Sequence, residues 1–300
     1  MNRRILLAVS ATVIVGGLAG YLYWNTKSGS STSLTNGGQP AYPVANEPSA
    51  NHAAPHSGPA QALGRSSNEA LQSFLTTKAR AEAGDAVAQR ELAEMYGRCM
   101  PINIDPQKFL ASIDAMAAVS KSPANAEGMK RVAQATAVEC AAVDNGAIIP
   151  LEARNLWLDQ AAKQGDLAAQ AQTFMGTDKR PQGDDLRKFM DEVVASGDPA
   201  ALFEMGQLVS GNSTGEGSGK YANVAGDALS GYAWSIVACQ RGLNCNAGSS
   251  IMNSVCLNTS GCSSPDFESF VRDNLVSAGD AALLNSKVQE VSSLLPNPTR

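Results

Sequence analysis

The apolar positions of this 300-residue chain are spaced for helices rather than for strands. Alanine-rich apolar segments show no regular alternation of apolar and polar residues, so we expect almost no β-structure. Two segments repeat one spacing of Trp, Ala and Gly at intervals of four residues: Trp157, Ala161 and Gly165, then Trp234, Ala238 and Gly242. Residues four apart lie on one face of an α-helix. The pattern predicts an all-α fold.

A Gly-Asp pair interrupts the helical pattern four times: Gly84-Asp85, Gly165-Asp166, Gly197-Asp198 and Gly279-Asp280. Glycine readily adopts the left-handed conformation that ends a helix. Aspartate accepts hydrogen bonds from the free N–H groups at the start of the next helix. Each pair is therefore predicted to form the turn of a helical hairpin.

The intervals between these pairs become regular when two weaker turns are included. The pairs lie 81, 32 and 82 residues apart, and Ser122-Pro123 and Gly242 fall near the middle of the two long intervals. The resulting six turns span 195 residues with a mean interval of 39, which is typical of helix-pair repeats. We expect six antiparallel helix pairs over residues 66–296, stacked as a right-handed superhelical solenoid with a concave face.

Residues around these turns also match a known repeat. The segment 145–169, with Asn145-Gly146, Ala153, Trp157, Ala161-Ala162, Gly165-Asp166 and Ala169, resembles the Sel1-like repeat, a relative of the tetratricopeptide repeat. Further matches are Gly84, Ala88, Leu92 and Tyr96 and, in part, Asp227-Ala228, Trp234 and Gly242. The resemblance covers roughly residues 66–296. It implies a solenoid of the Sel1-like or TPR-like type that acts as a scaffold or adaptor in macromolecular assembly.

The N-terminal segment is predicted to direct the chain to a membrane. Ile5 to Trp24 is a run of 20 residues without a charge, long enough to cross about 30 Å of hydrocarbon. Arg3 and Arg4 favour a cytoplasmic N-terminus. We therefore expect residues 1–24 to be a single-pass anchor in a bacterial inner membrane with the remainder in the periplasm. The alternative is a signal peptide cleaved after Ala19, which yields a soluble periplasmic or secreted protein. Residues 25–65, rich in Ser, Gly, Pro and Ala, are expected to be a disordered linker.

All six cysteines lie in the portion expected to be exported. An even number of cysteines in an oxidising compartment predicts structural disulfides. The candidates are Cys99, Cys140, Cys239, Cys245, Cys256 and Cys262. Cys99 and Cys140 are isolated and can pair with each other. The other four form two C-x5-C spacings, and the sequence leaves open whether these pair locally or crosswise.

Charge and histidine content narrow the possible functions. Residues 1–65 carry a formal charge of +3, and because the whole chain carries −5, the remainder carries −8. This acidic excess argues against nucleic acid as a partner. Both histidines, His52 and His56, lie in the linker, so the helical domain has none for catalysis or metal binding. The adjacent carboxylates Asp184-Asp185 and Asp191-Glu192 do not face one another on a helix, and no acid/base pair stands out.

These observations favour a binding protein over an enzyme. We expect an exported, membrane-tethered scaffold that binds a protein or peptide, or cell-wall material, without a cofactor or metal. It would contact the inner membrane through Ile5–Trp24. One alternative is an envelope-polymer binder or a carboxylate-dependent hydrolase, which two carboxylates about 5–10 Å apart in a cleft would favour. Another is a purely structural domain of an envelope complex.

Overall fold

A computed structural model describes residues 66–176, 180–210 and 218–296. The predicted anchor, the predicted linker and both histidines lie outside these ranges. Within them, no helix combines the length and apolarity needed to cross a membrane.

The described residues are mainly helical and include no β-strand, which confirms the predicted all-α class. The α-helices are α1 (Ser67–Glu82), α2 (Ala86–Ile104), α3 (Pro106–Ala118), α4 (Pro123–Ala142), α5 (Leu151–Lys163), α6 (Leu167–Met175), α7 (Gly183–Ser196), α8 (Pro199–Ser210), α9 (Ala228–Gln240), α10 (Ser250–Thr259), α11 (Phe267–Asn274) and α12 (Ala281–Leu294). Two 3₁₀ helices span Val143–Gly146 and Gly219–Val224. Extended pairing in the described ranges is limited to one antiparallel bridge between Asn246 and Asp266.

Three of the four Gly-Asp pairs have the predicted turn geometry. The glycines have left-handed φ values of 92° at Gly84, 94° at Gly165 and 61° at Gly197. Each following aspartate accepts a hydrogen bond from a backbone N–H of the next helix, at 3.0 Å for Asp85, 2.7 Å for Asp166 and 2.7 Å for Asp198. These bonds satisfy N–H groups that a helix start otherwise leaves without an intrahelical partner.

The fourth pair separates two helices but does not have the predicted geometry. Helix α11 already ends at Asn274, so Gly279 is not the residue that terminates it, and its φ is not positive. The Asp280 carboxylate accepts a hydrogen bond from the Ser277 hydroxyl at 2.7 Å and does not cap α12. The prediction of a glycine-terminated, aspartate-capped turn is therefore wrong here.

The two weaker turns also lie between helices. Ser122 caps α4 by accepting a bond from the Asn125 N–H at 3.3 Å, and Pro123 is the first residue of that helix. Gly242, with φ of 111°, follows the end of α9. The chain then runs through a longer connection to α10 rather than through a tight turn.

Helix packing follows sequence order in the first part of the chain and departs from it later. Helix α1 packs on α2, α3 on α4 and α5 on α6, and a continuous series of contacts links α1, α2, α5, α6, α8, α9 and α12. Helix α10 instead packs on α4, and α11 packs on α9. The expected stack of six antiparallel helix pairs is therefore not confirmed over the described part of the chain.

All six cysteines form disulfides: Cys99–Cys140, Cys239–Cys245 and Cys256–Cys262. Both C-x5-C spacings close locally, which decides the connectivity that the sequence left open. Cys99–Cys140 joins α2 to α4. Three disulfides indicate an oxidising, exported environment.

The largest hydrophobic core surrounds Trp234 of α9. Its indole N–H donates to the Val224 carbonyl at 2.8 Å, and the ring is fully buried. Helices α6 to α12 contribute to this core, whereas Leu92 and Tyr96 of α2 belong to a smaller core beside the Cys99–Cys140 disulfide. These cores hold α2, α5, α6 and α8 in place.

Candidate functional site

Polar side chains from four helices meet where three of the Gly-Asp hairpins adjoin. We call this set the charged cluster: Arg90 and Glu94 of α2, Gln172 of α6 and Glu204 of α8, which hydrogen bonds connect, and Arg154 of α5, which lies against α2 at Gly97. Gln172 and Glu204 occupy equivalent places, because each lies six residues after the aspartate of its own hairpin. The hairpin geometry therefore positions both side chains on corresponding faces of α6 and α8.

Arg90 joins the cluster to the start of α6. Only 8% of this residue is exposed. Its Nε donates to both carboxylate oxygens of Asp166 at 3.1 Å, and its Nη1 donates to Glu94 Oε1 at 2.9 Å. Burial opposes the charge of the guanidinium, but Glu94 and Asp166 together raise the pKa of Arg90.

Gln172 connects the two glutamates of the cluster. Its Nε2 donates to Glu94 Oε1 at 3.0 Å and to Glu204 Oε1 at 3.1 Å. Since both bonds share one nitrogen, the two oxygens lie no farther than about 6 Å apart. Glu94 is therefore held by both Arg90 and Gln172.

Glu204 has an unusual protonation equilibrium. Burial, followed by the nearby charge of Glu94, raises the pKa of Glu204 to about 8, although Gln172, Arg90 and Arg154 oppose the shift. Most of this carboxyl is consequently protonated at pH 7. The cluster thus places a neutral carboxylic acid beside a second carboxyl group that accepts from an arginine.

Among the arginines of the cluster, Arg154 has fewer hydrogen bonds than Arg90. Its Nη1 donates to Asn155 Oδ1 at 3.1 Å, and within the described ranges no carboxylate lies within 4.0 Å of it. Burial lowers the pKa of Arg154, and the charges of Glu94 and Glu204 offset part of that effect. Gly97 makes room for this side chain, because a Cβ there would lie 2.9 Å from Arg154 Nε.

The residues singled out from the sequence have mainly structural positions. Asp85 accepts from Arg80 as well as capping α2, and the Ala88 N–H, followed by Arg80, lowers the pKa of its carboxyl. Asp198 caps α8. Among the Gly-Asp aspartates of the described ranges, Asp166 contacts the charged cluster directly.

The carboxylates considered from the sequence as catalytic candidates have other partners. Asp184 lies in the first turn of α7 and pairs with Arg187. Asp191 accepts from the Tyr221 hydroxyl at 2.6 Å and pairs with Lys220 at 2.9 Å.

The sequence interpretation missed Glu94 and Glu204, which come from different hairpins. Comparing positions at equal distance from each Gly-Asp turn would have placed Gln172 and Glu204 together, but it would not have identified Glu94.

No metal site stands out where the structure describes the chain, since no group of three or more His, Cys, Asp and Glu residues there is arranged to hold an ion. A separate open depression of about 510 Å³ lies near the connection between α6 and α7. Its lining residues are Phe174, Arg180, Pro181, Gln182 and Asp185. The charged cluster is a different set of residues.

Comparison of the chain with protein-family models, curated proteins and solved structures finds no match. The fold and its disulfides define the class of this protein as an all-helical, disulfide-bonded exported domain.

Proposed function

We propose that this protein is a Sel1-like helical-repeat scaffold that binds a protein or peptide partner on the face carrying the charged cluster. The observation that carries this proposal is the packing of α2 on α5 and of α6 on α8. These contacts bring successive Gly-Asp hairpins together, so four partly exposed polar side chains of the charged cluster lie close to one another. A surface built from successive repeats is the usual binding surface of a solenoid protein.

A repeated side-chain contact supports the repeat interpretation. Gln89 Nε2 donates across the first Gly-Asp turn to the Ala81 carbonyl at 3.0 Å. Gln170 Nε2 donates across the second to the Ala162 carbonyl at 3.2 Å. Each glutamine lies eight residues after its acceptor, and the two contacts lie 81 residues apart, as the turns themselves do. The same glutamine-to-carbonyl hydrogen bond therefore spans both turns.

The proposal includes a membrane tether. The uncharged run from Ile5 to Trp24 would form a single-pass anchor, and residues 25–65 would let the helical domain extend from the inner membrane into the periplasm. The oxidising environment indicated by the three disulfides is consistent with this location.

Site-specific crosslinking of the full chain in its native cells tests the scaffold role. A photo-reactive amino acid at Asn155, an exposed residue beside Arg154, is compared with one at Ala115, an exposed residue of α3. We expect one abundant protein partner to be captured from Asn155 and not from Ala115. Equal capture from both positions, or recovery of glycan alone, would contradict the proposal.

A carboxylate-dependent hydrolase is the second candidate function. Glu94 and Glu204 have oxygens no farther than about 6 Å apart, and a protonated carboxyl beside a second one resembles the acid/base pair of glycoside hydrolysis. The Gln172 amide nevertheless lies between these groups, where a water or a substrate atom would have to be. We favour binding for this reason.

The two functions differ in an assay of the purified full chain on isolated cell-wall polymer. Under the scaffold proposal, neither the natural chain nor the Glu204→Gln variant releases soluble fragments. Release by the natural chain that is lost in Glu204→Gln would instead establish the hydrolase.

A further inference from the structure

Two residues of the charged cluster, Arg154 and Glu204, have hydrogen-bonding groups without a partner among the described residues. Arg90 is already paired with Asp166 and Glu94, and Glu94 also accepts from Gln172. Arg154 has only the side chain of exposed Asn155 as a hydrogen-bond partner in the described structure. Glu204 accepts through Oε1 alone, so its second oxygen has no partner among the described residues.

We propose that Arg154 and Glu204 form a binding site for a carboxylate group of a peptide partner. The Arg154 guanidinium would donate to both carboxylate oxygens, and the protonated Glu204 carboxyl would donate a further hydrogen bond. This inference rests on the proposed scaffold function and specifies what the scaffold recognises.

A guanidinium group can bind a carboxylate through two parallel hydrogen bonds. Its planar N–H donors match the two oxygens of a carboxylate, and such charge-assisted bonds are stronger than bonds between neutral groups. Gly97 lets the Arg154 side chain lie against α2, which restricts its orientation. Arg154 is partly buried and has no carboxylate within 4.0 Å among the described residues, so a bound carboxylate would give it a directly paired partner.

The charge balance of the cluster also admits an anion. Arg90 and Arg154 carry two positive charges, and the carboxylates of Glu94 and Asp166 balance them. Glu204 adds no negative charge when it is protonated. The charged groups that face Glu204 are Arg90 and Glu94 of α2 and Arg154 of α5. Because the pKa of Glu204 is about 8, the incoming carboxylate meets a donor below that pH and a repelling charge above it.

Titration of the full-length chain with three short peptides tests the site. The probes are acetyl-Ala-Ala-Ala with a free C-terminal carboxylate, the same peptide as its amide, and acetyl-Ala-Glu-Ala amide. NMR signals of the Gly97 and Asn155 backbone amides report binding at pH 7. We expect shifts with at least one carboxylate-bearing probe and none with the uncharged amide. The carboxylate probe that binds with the higher affinity shows whether the site prefers a C-terminal carboxylate or an acidic side chain.

Four variants link the signal to the cluster. Arg154→Met should weaken binding by at least about tenfold, because charge-assisted bonds are lost. Arg154→Lys, which keeps the charge and loses the paired donors, should also weaken it. Arg131→Met removes an equal charge from an exposed position of α4 and should leave affinity unchanged. Glu204→Gln should retain binding at pH 7 and abolish the fall in affinity between pH 7 and 9.

Several outcomes would overturn the carboxylate site. These are shifts of equal size with the uncharged amide, no shift with either carboxylate probe, full affinity in Arg154→Met, or an equal loss in Arg131→Met. Capture of a protein from Asn155 without any carboxylate-dependent shift would refute this site and leave the scaffold function standing. Peptide binding without any captured partner would refute the scaffold function instead.

Discussion

At the scale of single residues, Asp166 shows how a helix cap can also join two hairpins. Its carboxylate accepts from the Ala169 N–H at 2.7 Å and from Arg90 Nε at 3.1 Å. The Arg90 side chain is only 10% exposed and the Asp166 side chain only 2%. Because buried ions lose their hydration, each requires the other as a counter-charge.

Replacing Arg90 should therefore be costly. Arg90→Met leaves the buried Asp166 carboxylate without its counter-charge, and we expect the free energy of unfolding to fall by about 3 kcal/mol. Urea denaturation of the oxidised chain measures this change. Lys130→Met is the matched control, because its 3.8 Å pair with Glu127 is exposed and should contribute less than about 0.5 kcal/mol. Similar losses in both variants would contradict a special role for the buried pair.

Glu204 should make stability depend on pH. Its pKa is raised to about 8 in the folded chain, above the value of about 4.3 expected when unfolded. The unfolded state therefore releases this proton first, and the stabilisation from protonated Glu204 is lost as the pH rises from about 4 through 8. We expect Glu204→Gln to remove this part of the decline in melting temperature.

Melting curves at half-unit pH steps measure the effect, with Asp159→Asn as the control. Asp159 is an exposed acidic residue of α5, and this variant shows how the loss of one exposed carboxyl group affects the profile. Parallel profiles for the natural chain and Glu204→Gln would show that Glu204 does not titrate in this range.

Local and distant partners differ in how well the sequence predicts them. The caps at Asp85, Asp166 and Asp198 depend on a few consecutive residues, and the Gly-Asp pattern is sufficient to predict them. Glu94 and Glu204 meet only after α2, α6 and α8 have packed. The raised pKa of Glu204 depends on burial. A single sequence does not show which of its glutamates will be buried.

At the scale of helical elements, the Gly-Asp pattern predicts a turn only where the preceding helix reaches the glycine. Helix α1 ends at Glu82 and α5 ends at Lys163, each two residues before its glycine. Helix α11 ends five residues before Gly279, and the Asp280 carboxylate accepts a hydrogen bond from the Ser277 hydroxyl instead of capping α12. The dipeptide is the same in each case, and the length of the preceding helix decides its geometry.

The close crossing of α8 and α9 depends on two glycines that the repeat pattern does not include. A Cβ at Gly206 would lie 2.6 Å from the Gly231 carbonyl oxygen, and a Cβ at Gly231 would lie 2.6 Å from the Ser210 Cβ. We expect Gly206→Ala or Gly231→Ala to lower the free energy of unfolding by about 1–3 kcal/mol, because the helices must separate. Chemical denaturation measures this loss.

Gly176→Ala provides the matched control for these substitutions. A Cβ at Gly176 would have no neighbour closer than 3.7 Å, and its φ is −84°, which alanine adopts readily. Stability should change little or rise slightly there. An unchanged stability in Gly206→Ala would show that α8 and α9 do not pack as closely as their glycines permit.

At the scale of the whole molecule, the C-terminal part of the chain returns to the N-terminal hairpins. Cys256 of α10 packs with Ile113, Met129 and Ala133 of α3 and α4. The Ser263 N–H, just beyond the disulfide, donates to Asn125 Oδ1 at 3.1 Å. In a regular solenoid each unit contacts only its neighbours, so the repeat interval alone could not predict this contact. The cysteine spacing was equally compatible with crossed pairing.

Gly128 of α4 is the residue that permits this return contact. A Cβ at Gly128 would lie 2.5 Å from the Cβ of Cys262, and the disulfide limits how far that side chain can move. Alanine itself favours a helix interior over glycine by about 1 kcal/mol, so the clash must exceed this gain. We expect Gly128→Ala to displace the Cys256–Cys262 loop from α4 and to destabilise the chain by about 1–2 kcal/mol in net terms.

Native-state hydrogen exchange distinguishes this coupled loss from a local change in α4. Amides of α4 and α10 should lose protection together in Gly128→Ala, because each helix covers part of the other, while α8 and α9 should keep theirs. Gln134→Ala, at an exposed position of the same helix, should leave α10 unchanged. If Gly128→Ala instead raises protection in α4 without affecting α10, the two ends of the chain are not coupled through this contact.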